Sequence, residues 1–264
     1  MPSSGASSSE PACIIMASLT ISAPPSMRLT SQAACLKSLH LGRRGYVEAL
    51  ALQEAAATRV AAGGADELLF VEHAAVITLG RGTRDGEVIV EEGSLRNRRV
   101  LVEQTDRGGR ATFHGPGQLI TYPIINLSRR GIGVRAYLRV LENVLVEVLA
   151  EQEIEAWTRS GFTGVWTESG KIAAIGIAVR RCITRHGLAL NVDVDLSFFE
   201  FITPCGTREP VTSMQQMGWR GRTSHLQNTL EQQLAEQLDR ESEVATRAIQ
   251  AAGGQAATSV TRVS

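Results

Sequence analysis

Cys205 is the first residue of this chain whose setting suggests chemistry. It lies between a proline and a glycine in the stretch PCGTREPVTSM, among small and polar residues rather than in an apolar stripe. Such a thiol has a constrained backbone and open access, which suits a nucleophile that attacks as the thiolate. The alternative interpretation is a small buried side chain, the usual environment of a lone cysteine.

A nucleophilic thiol needs a cation, because a nearby positive charge lowers its pKa from about 8.5 towards neutrality. Lys171 is the first candidate, since it directly precedes the apolar run IAAIGIAV. His114 and His186 compete for this role. A single lysine at the start of a buried strand can also extend its ammonium group into solvent, so Lys171 alone does not settle the question.

A glycine-rich loop, RGGRATFHGPGQ, runs from Arg107 to Gln118. Glycines let the backbone approach a ligand closely, and successive N–H groups in such a loop can hold a carbonyl or phosphate oxygen. Arg107 and His114 add side-chain donors. A tight turn between two strands explains the same residues without a ligand.

The overall composition excludes several classes of protein. The chain has 264 residues, 43% of them hydrophobic and 20% charged, as in an ordinary globular protein. Lys and Arg together number 27, as do Asp and Glu, so no net basic field attracts nucleic acid or anionic lipid. A local basic patch stays open around residues 96–110 and 180–185. No apolar run has the length of about 18 residues that a membrane span needs.

Four cysteines without a CxxC pair, and five histidines without metal-ligand spacing, indicate neither a disulfide scaffold nor a metal site. We therefore expect a reducing, cytoplasmic setting, no metal and no cofactor, and we assign no role to Cys13, Cys35 or Cys182. Residues 1–34 are rich in Ser, Ala and Pro. They predict a disordered extension or a start codon at Met16 or Met27, and a transit peptide is a weaker alternative because Arg is nearly absent there.

The periodicity predicts a mixed α+β fold. Strand-like runs are ELLFVEH, AVITLGRG, RRVLVEQT, LITYPIINL, GKIAAIGIAV and HGLALNVDVDL. A first helix over GYVEALALQEAAATRVAA carries Val47, Leu50, Ala51 and Glu54 at helical spacing, and a second runs from Val134 to Leu149. Leu226, Leu230, Leu234 and Leu238 predict a third, capped by Thr223 or Ser224. Clustered strands favour a mixed sheet over a doubly wound one, within one domain over residues 35–250 and a disordered tail over 251–264.

Four motifs in register resemble the lipoyl(octanoyl) transferases. They are DRGGRATFHGPGQLITYPI, GVWTESGKIAAIGIAV, HGLALNV and PCGTREPVTSM, and YVEALALQE and EHAAVITLG are also similar to that family. The resemblance covers about Leu36 to Gly218, and HGPGQ followed by YPI is its most specific part.

The resemblance implies an acyltransferase. Members of this family move an octanoyl group from octanoyl-acyl carrier protein to a lysine of a lipoyl domain, which is the first step of endogenous protein lipoylation. The acceptors are 2-oxoacid dehydrogenases and the glycine cleavage H protein. The implied fold is the sheet-based catalytic module of biotin and lipoate protein ligases. The chemistry is exchange through a cysteine thioester without ATP, and we expect a monomer that binds neither nucleic acid nor membrane.

The resemblance also implies site residues. The thioester cysteine falls on Cys205 and its lysine partner on Lys171. The acyl pocket falls on three stretches: Arg107, Gly108, Gly109, Arg110, Ala111, Thr112, Phe113 and His114; Ala174, Ile175 and Gly176; and Gly187, Leu188 and Ala189.

Two positions depart from the family pattern. Arg110 stands where an acidic or amide residue is commoner, and Thr207 where an aliphatic residue is commoner. Three other functions stay open: an ATP-dependent lipoate or octanoate ligase, a non-catalytic module that binds a lipoyl domain or acyl carrier protein, and a thiol hydrolase.

Overall fold

A seven-stranded mixed sheet is the central element of the computed structural model, which describes residues 36–203 and 209–258. Its strand order is β1-β2-β6-β10-β9-β8-β7, and only β1 and β2 pair in parallel. The strands are β1 (Leu36–Arg44), β2 (Asp66–His73), β6 (Gln118–Ile124), β7 (Trp157–Arg159), β8 (Phe162–Thr167), β9 (Gly170–Arg180) and β10 (Ile183–Asn191).

A smaller sheet of order β4-β3-β5 lies beside it. Its strands are β3 (Val76–Leu79), β4 (Leu101–Gln104) and β5 (Thr112–His114). The helices are α1 (Tyr46–Ala61), α2 (Glu92–Asn97), α3 (Leu127–Arg130), α4 (Val134–Ala150) and α5 (Thr223–Thr258), with a 3-10 helix at Leu196–Phe201. The predicted mixed sheet is confirmed.

Helices cover both faces of the large sheet. On one face α4 presents the apolar side chains that its 3.6-residue periodicity predicts. Of these, Leu138 is half-buried, and the others are buried: Tyr137, Leu141, Val144, Leu145 and Val148. The opposite face packs against α1. Because both faces are covered, the central strands β6 and β10 are buried along their whole lengths.

The predicted first helix is present, but the residues noted at helical spacing in it do not form its buried face. Val47 is 62% exposed, and the buried residues are Tyr46, Ala49, Gln53, Ala56 and Val60. The Tyr46 hydroxyl donates to Thr105 Oγ1 at 3.0 Å, which fixes the rotation of the helix from its first residue. The many alanines give the sequence little apolar contrast, so its periodicity did not identify the correct side.

The leucine-rich helix α5 packs against α4 as a second layer. Leu226, Leu230, Leu234 and Leu238 are all fully buried, as predicted. The helix already includes Thr223 and Ser224, so neither of these predicted N-caps precedes its first residue. It continues to Thr258, into the segment 251–264 that we expected to be a tail. No helix in the described part of the chain is both long and apolar enough to span a bilayer.

The β9–β10 turn contains Arg181 and Cys182, both with positive φ. Cys182 is disulfide-bonded, a role that the sequence did not suggest. Lys171 is at the opposite end of β9, about 30 Å away at strand rise. The disulfide is therefore at the far end of the hairpin from Lys171.

Leu234 tests the contribution of the α4–α5 layer to stability. Leu234→Ala should lower the free energy of unfolding by about 2–5 kcal/mol, because it leaves a cavity beneath a buried helix. Val244→Ala, on the same helix but 60% exposed, should change it by less than about 0.5 kcal/mol. Urea denaturation followed by circular dichroism measures both, and equal effects would contradict this packing.

Candidate active site

Lys171 is directed by an irregularity in the β8–β9 pairing. Val165 pairs with Ala173 while Trp166 pairs with Lys171, so Ile172 is an extra residue in β9. Such a bulge reverses the side-chain alternation on one side of it. Ile172 and Ala173 consequently both pack into the core beneath α4, whereas Lys171 and Ala174 both face a cavity on the other side of the sheet.

The Lys171 ammonium group has several close neighbours. Its Nζ donates to the Thr163 carbonyl at 3.1 Å and lies 4.8 Å from the centroid of the Trp166 ring. Gly164, with φ of 137°, leaves room for the lysine stem, since a Cβ there would lie 2.7 Å from Lys171 Cε. The local sequence therefore holds the ammonium group near the cavity mouth.

The cavity has a volume of about 210 Å³ and lies over β6, β9 and β10. Most of the residues proposed for the acyl pocket line it: Arg107, Gly109, Arg110, Thr112, His114, Ala174, Ile175, Gly176, Gly187, Leu188 and Ala189. His186, a candidate cation in the sequence analysis, also lines it, as do residues for which no role was predicted: Tyr46, Ile120, Tyr122, Gly161, Phe162 and Thr163. Most of these residues lie within the motifs that resemble the family, but the sequence did not show that they share one surface.

Gly108, Ala111 and Phe113 do not line the cavity. Ala111 and Phe113 are fully buried in the separate core under the small sheet. Thr112 and His114 point to the cavity instead, because successive side chains of β5 alternate between faces. From residue 111 to residue 114 of the predicted pocket stretch, therefore, only every second side chain lines the cavity.

Arg107 connects the two sheets from a buried position. Its guanidinium donates to the Thr78 carbonyl at 2.6 Å and to Thr78 Oγ1 at 2.8 Å, and its backbone neighbour Gly108 donates to the Ile177 carbonyl at 2.8 Å. Gly117 N–H donates to Glu72 Oε2 at 3.0 Å. The N–H groups of Gly108 and Gly117 therefore already donate hydrogen bonds within the protein. They are not available to hold a substrate oxygen, as the sequence analysis had considered for this loop.

Arg110 forms an ion pair that accounts for its departure from the family pattern. Its Nε donates to Glu87 Oε1 at 2.7 Å, and Glu87 also accepts from the backbone N–H groups of Arg84 and Ala111. Burial raises the pKa of Glu87, but these hydrogen bonds outweigh it and the net pKa is lowered. The arginine thus has a matching carboxylate in this chain.

Hydrogen-bond partners indicate which ring nitrogen carries the proton in two buried histidines, His114 of the cavity lining and His73. Gln118 donates through Nε2 to the Phe113 carbonyl and to Asn191 Oδ1, so its Oε1 accepts from His114 Nδ1–H at 3.1 Å. His73 donates through Nδ1 to the Arg44 carbonyl and accepts at Nε2 from the Tyr122 hydroxyl at 2.7 Å. These patterns fit neutral imidazoles.

Burial lowers the pKa of both His114 and His186. For His114 the charges of His73 and Arg107 add to the effect, and the pKa falls well below 6.5. His186 Nε2 lies 2.7 Å from Asp106, which opposes the shift only in part. Burial therefore disfavours the charged imidazolium at both positions.

The basic stretch at residues 180–185 is split between surface and interior, because Arg180 and Arg181 are exposed whereas Arg185 is not. Arg185 is buried and ion-paired to both Glu54 and Asp106. Within residues 36–203 and 209–258, no cluster of three His, Cys, Asp or Glu side chains is arranged to hold a metal ion.

Cys205 lies outside the described residues, as does Thr207, but the chain on each side of residues 204–208 is anchored. Thr203 N–H donates to the Glu87 carbonyl at 2.7 Å. On the other side, Lys171 N–H donates to the Pro210 carbonyl at 2.9 Å, and Thr212 N–H donates to the Lys171 carbonyl at 3.0 Å. The segment that contains Cys205 therefore continues directly into the backbone partner of Lys171.

His114 makes stability depend on pH. Its pKa in the folded protein lies below 6.5, so the unfolded chain binds this proton more readily. The free energy of unfolding should therefore fall as the pH drops from about 7.5 to about 5.5. His114→Gln should make this dependence shallower, whereas His225→Gln, at an exposed position, should leave it as in wild type; urea titrations at both pH values measure it.

Known proteins are similar to this chain in sequence and in fold. The family model "Lipoyl protein ligase A/B catalytic domain" matches residues 45–239. An octanoyltransferase of Solibacter usitatus is 45% identical over 187 residues, which cover 70% of this chain and 84% of that protein.

Two solved structures show the same fold at low identity. A bipartite lipoate protein ligase from Thermoplasma acidophilum, studied with its E2 lipoyl domain, has a TM-score of 0.61 at 18% identity and covers 81% of this chain and 91% of its own. The biotin protein ligase of Aquifex aeolicus, in complex with biotin and ATP, has a TM-score of 0.51 at 15% identity, covering 78% and 72%. The predicted ligase-type module is confirmed. The chain belongs to the octanoyltransferases, acyltransferases whose catalytic domain is of the lipoyl protein ligase A/B family.

Proposed function

We propose that this octanoyltransferase takes its acyl group from octanoyl-acyl carrier protein, holds it as a thioester on Cys205 and transfers it to a lysine of a lipoyl domain. The observation that carries the proposal is the bulge at Ile172, which turns Lys171 into the cavity mouth. The backbone of that lysine is hydrogen-bonded to Pro210, five residues after Cys205. Lys171 and Cys205 are the residues that we assign to the chemistry.

In the first half-reaction the Cys205 thiolate, stabilised by the Lys171 ammonium, attacks the carbonyl carbon of the donor thioester. The tetrahedral intermediate collapses with cleavage of the donor C–S bond. The carrier leaves as a thiolate and takes a proton from solvent, so Lys171 stays an ammonium group. One thioester replaces another, so the step needs no ATP.

In the second half-reaction the neutral amine of the acceptor lysine attacks the Cys205 thioester. The C–N bond forms, the C–S bond to Cys205 breaks and the ammonium proton of the intermediate is lost to a base. Conversion of a thioester to an amide makes this direction favourable. The regenerated thiolate again faces Lys171, and the enzyme returns to its starting state.

The octanoyl chain occupies the cavity over β6, β9 and β10 in this scheme. Ala174, Gly187 and Ala189 keep its wall low, and Ile120 and Leu188 add apolar surface. Exclusion of water from this slot protects the thioester from hydrolysis. The acceptors in this proposal are the lipoyl domains of 2-oxoacid dehydrogenases and the glycine cleavage H protein, and the enzyme acts as a monomer.

Intact-mass spectrometry tests the covalent step. Mixing the protein with octanoyl-acyl carrier protein should give an octanoyl adduct on wild type, and a lipoyl domain should discharge it. Cys205→Ser should form no thioester, because it lacks the thiol, and Cys182→Ser, at the far end of the β9–β10 hairpin, should still form the adduct.

Absence of an adduct in wild type, with an acyl-adenylate formed from free octanoate and ATP, would assign the chain to the ligase reaction instead. Silence in both assays would favour a module that binds its partners without catalysis.

Ala174 tests the acyl slot. Ala174→Leu should slow octanoyl transfer more than butanoyl transfer, because the larger side chain fills the slot from its β9 wall. Gly176 is a poorer position, since a Cβ there would lie 2.9 Å from the Gly108 carbonyl oxygen and disturb the loop itself. The kcat/KM values for the two donors measure the effect, and equal loss for both would contradict this pocket.

A further inference from the structure

Trp166 contacts both Lys171 and Glu209, the first described residue after the segment that contains Cys205. Its ring is only 2% exposed and lies on β8, opposite Lys171 in the β8–β9 pairing. Lys171 Nζ is 4.8 Å from the ring centroid, and Arg159 Cζ is 5.2 Å from it. A ring this close to two cations is more than packing volume, because its π face attracts positive charge.

The indole N–H of Trp166 points to another element. Its Nε1 donates to Glu209 Oε2 at 3.1 Å, and the other carboxylate oxygen of Glu209 accepts from Arg159 at 2.9 Å. Glu209 is the first described residue after the segment 204–208. One side chain thus links the ammonium of Lys171 to the end of the segment that carries Cys205.

Three charged side chains and one backbone carbonyl surround Lys171. Glu142 of α4 interacts with it electrostatically and accepts from Gly164 N–H at 3.2 Å. Arg159 of β7 and Glu209 lie at the same indole ring, and the Thr163 carbonyl of β8 accepts a hydrogen bond from the Lys171 ammonium. A lysine stem has four rotatable bonds, and these contacts together restrict it.

We propose that Trp166 is the positioning residue of the acyl-transfer site, holding the Lys171 ammonium under its ring and the end of the Cys205 segment through Glu209. The proposal rests on the function proposed above, since it assigns a role for Lys171 beside the Cys205 thiolate. It also specifies that role: Lys171 acts as a held cation rather than as a proton acceptor.

Two substitutions separate the two contacts. Trp166→Phe keeps an aromatic face for Lys171 but lacks the N–H that binds Glu209. Trp166→Leu lacks both. Trp219→Leu is the matched control, because Trp219 is a partly buried indole whose Nε1 donates to Gln152 and which packs against the α4 side of the sheet.

The readout is the rate of iodoacetamide labelling of Cys205 as a function of pH, measured by peptide mass spectrometry. Trp166→Leu should move the midpoint of the profile to higher pH and slow labelling at neutral pH about tenfold or more, as a displaced cation would. Trp166→Phe should keep the midpoint of wild type while lowering kcat for octanoyl transfer. Trp219→Leu should change neither, whatever it does to thermal stability.

A double substitution distinguishes positioning from a purely structural role. In the Lys171→Ala background, Trp166→Leu should cause no further shift of the midpoint, because the group through which it acts is gone. An additive shift, or a midpoint that Trp166→Leu leaves unchanged, would overturn the proposal. If Trp166→Leu does not fold, Glu209→Ala replaces it: labelling should keep its midpoint while kcat falls, and an unchanged kcat would overturn the link to Glu209.

Failure of this inference is distinguishable from failure of the proposed function. Without an octanoyl adduct on Cys205 in wild type the acyl-transfer scheme is wrong, whatever the labelling shows. With an adduct but no dependence of the labelling profile on Trp166, the scheme stands and only the positioning role is lost.

Discussion

The bulge at Ile172 is the constraint on which the rest of the site depends. β9 must supply Ile172, Ala173 and Ile175 to the core beneath α4, and also Lys171 and Ala174 to the cavity on the opposite face. Strict alternation would put Lys171 and Ala173 on one side, and so either bury an ammonium group under α4 or expose an apolar residue. Burial of an unpaired charge is far more costly than a local break in pairing. One extra residue resolves the conflict at the point where the chemistry is proposed.

Polar groups around the cavity are compensated within the fold, which lets an apolar chain lie beside them. Arg107 donates to Thr78, Arg110 is paired to Glu87, and His114 is held neutral by burial. Charges satisfied in this way do not require water in the slot. The same compensation explains how an arginine is accommodated where the family more often has an acidic or amide residue: Glu87 supplies the carboxylate from another element.

Much of the fold was accessible from the sequence because local patterns dominate it. The periodicities of α4 and of the leucines in α5 gave the correct buried faces, and the strand runs gave a mixed sheet. The buried face of α1 was missed because its alanines carry little contrast. The bulge was missed because KIAAIGIAV reads as one continuous apolar run, in which an extra residue leaves no trace. Partners such as Arg110 and Glu87, 23 residues apart, depend on the tertiary fold and have no local signal.

The two anchors of the segment around Cys205 belong to different parts of the molecule. Thr203 is hydrogen-bonded to Glu87, whose carboxylate is fixed by Arg110 and Ala111 beside the small sheet. Pro210 is hydrogen-bonded to Lys171 in the large sheet. The distance between the ends of the segment is therefore set by how the two sheets pack, and Arg107 fixes that packing by bonding to Thr78 while its neighbour Gly108 bonds to Ile177. Residues far from the proposed thioester thus control where the nucleophile can be, because they determine the separation of the two points from which its segment is held.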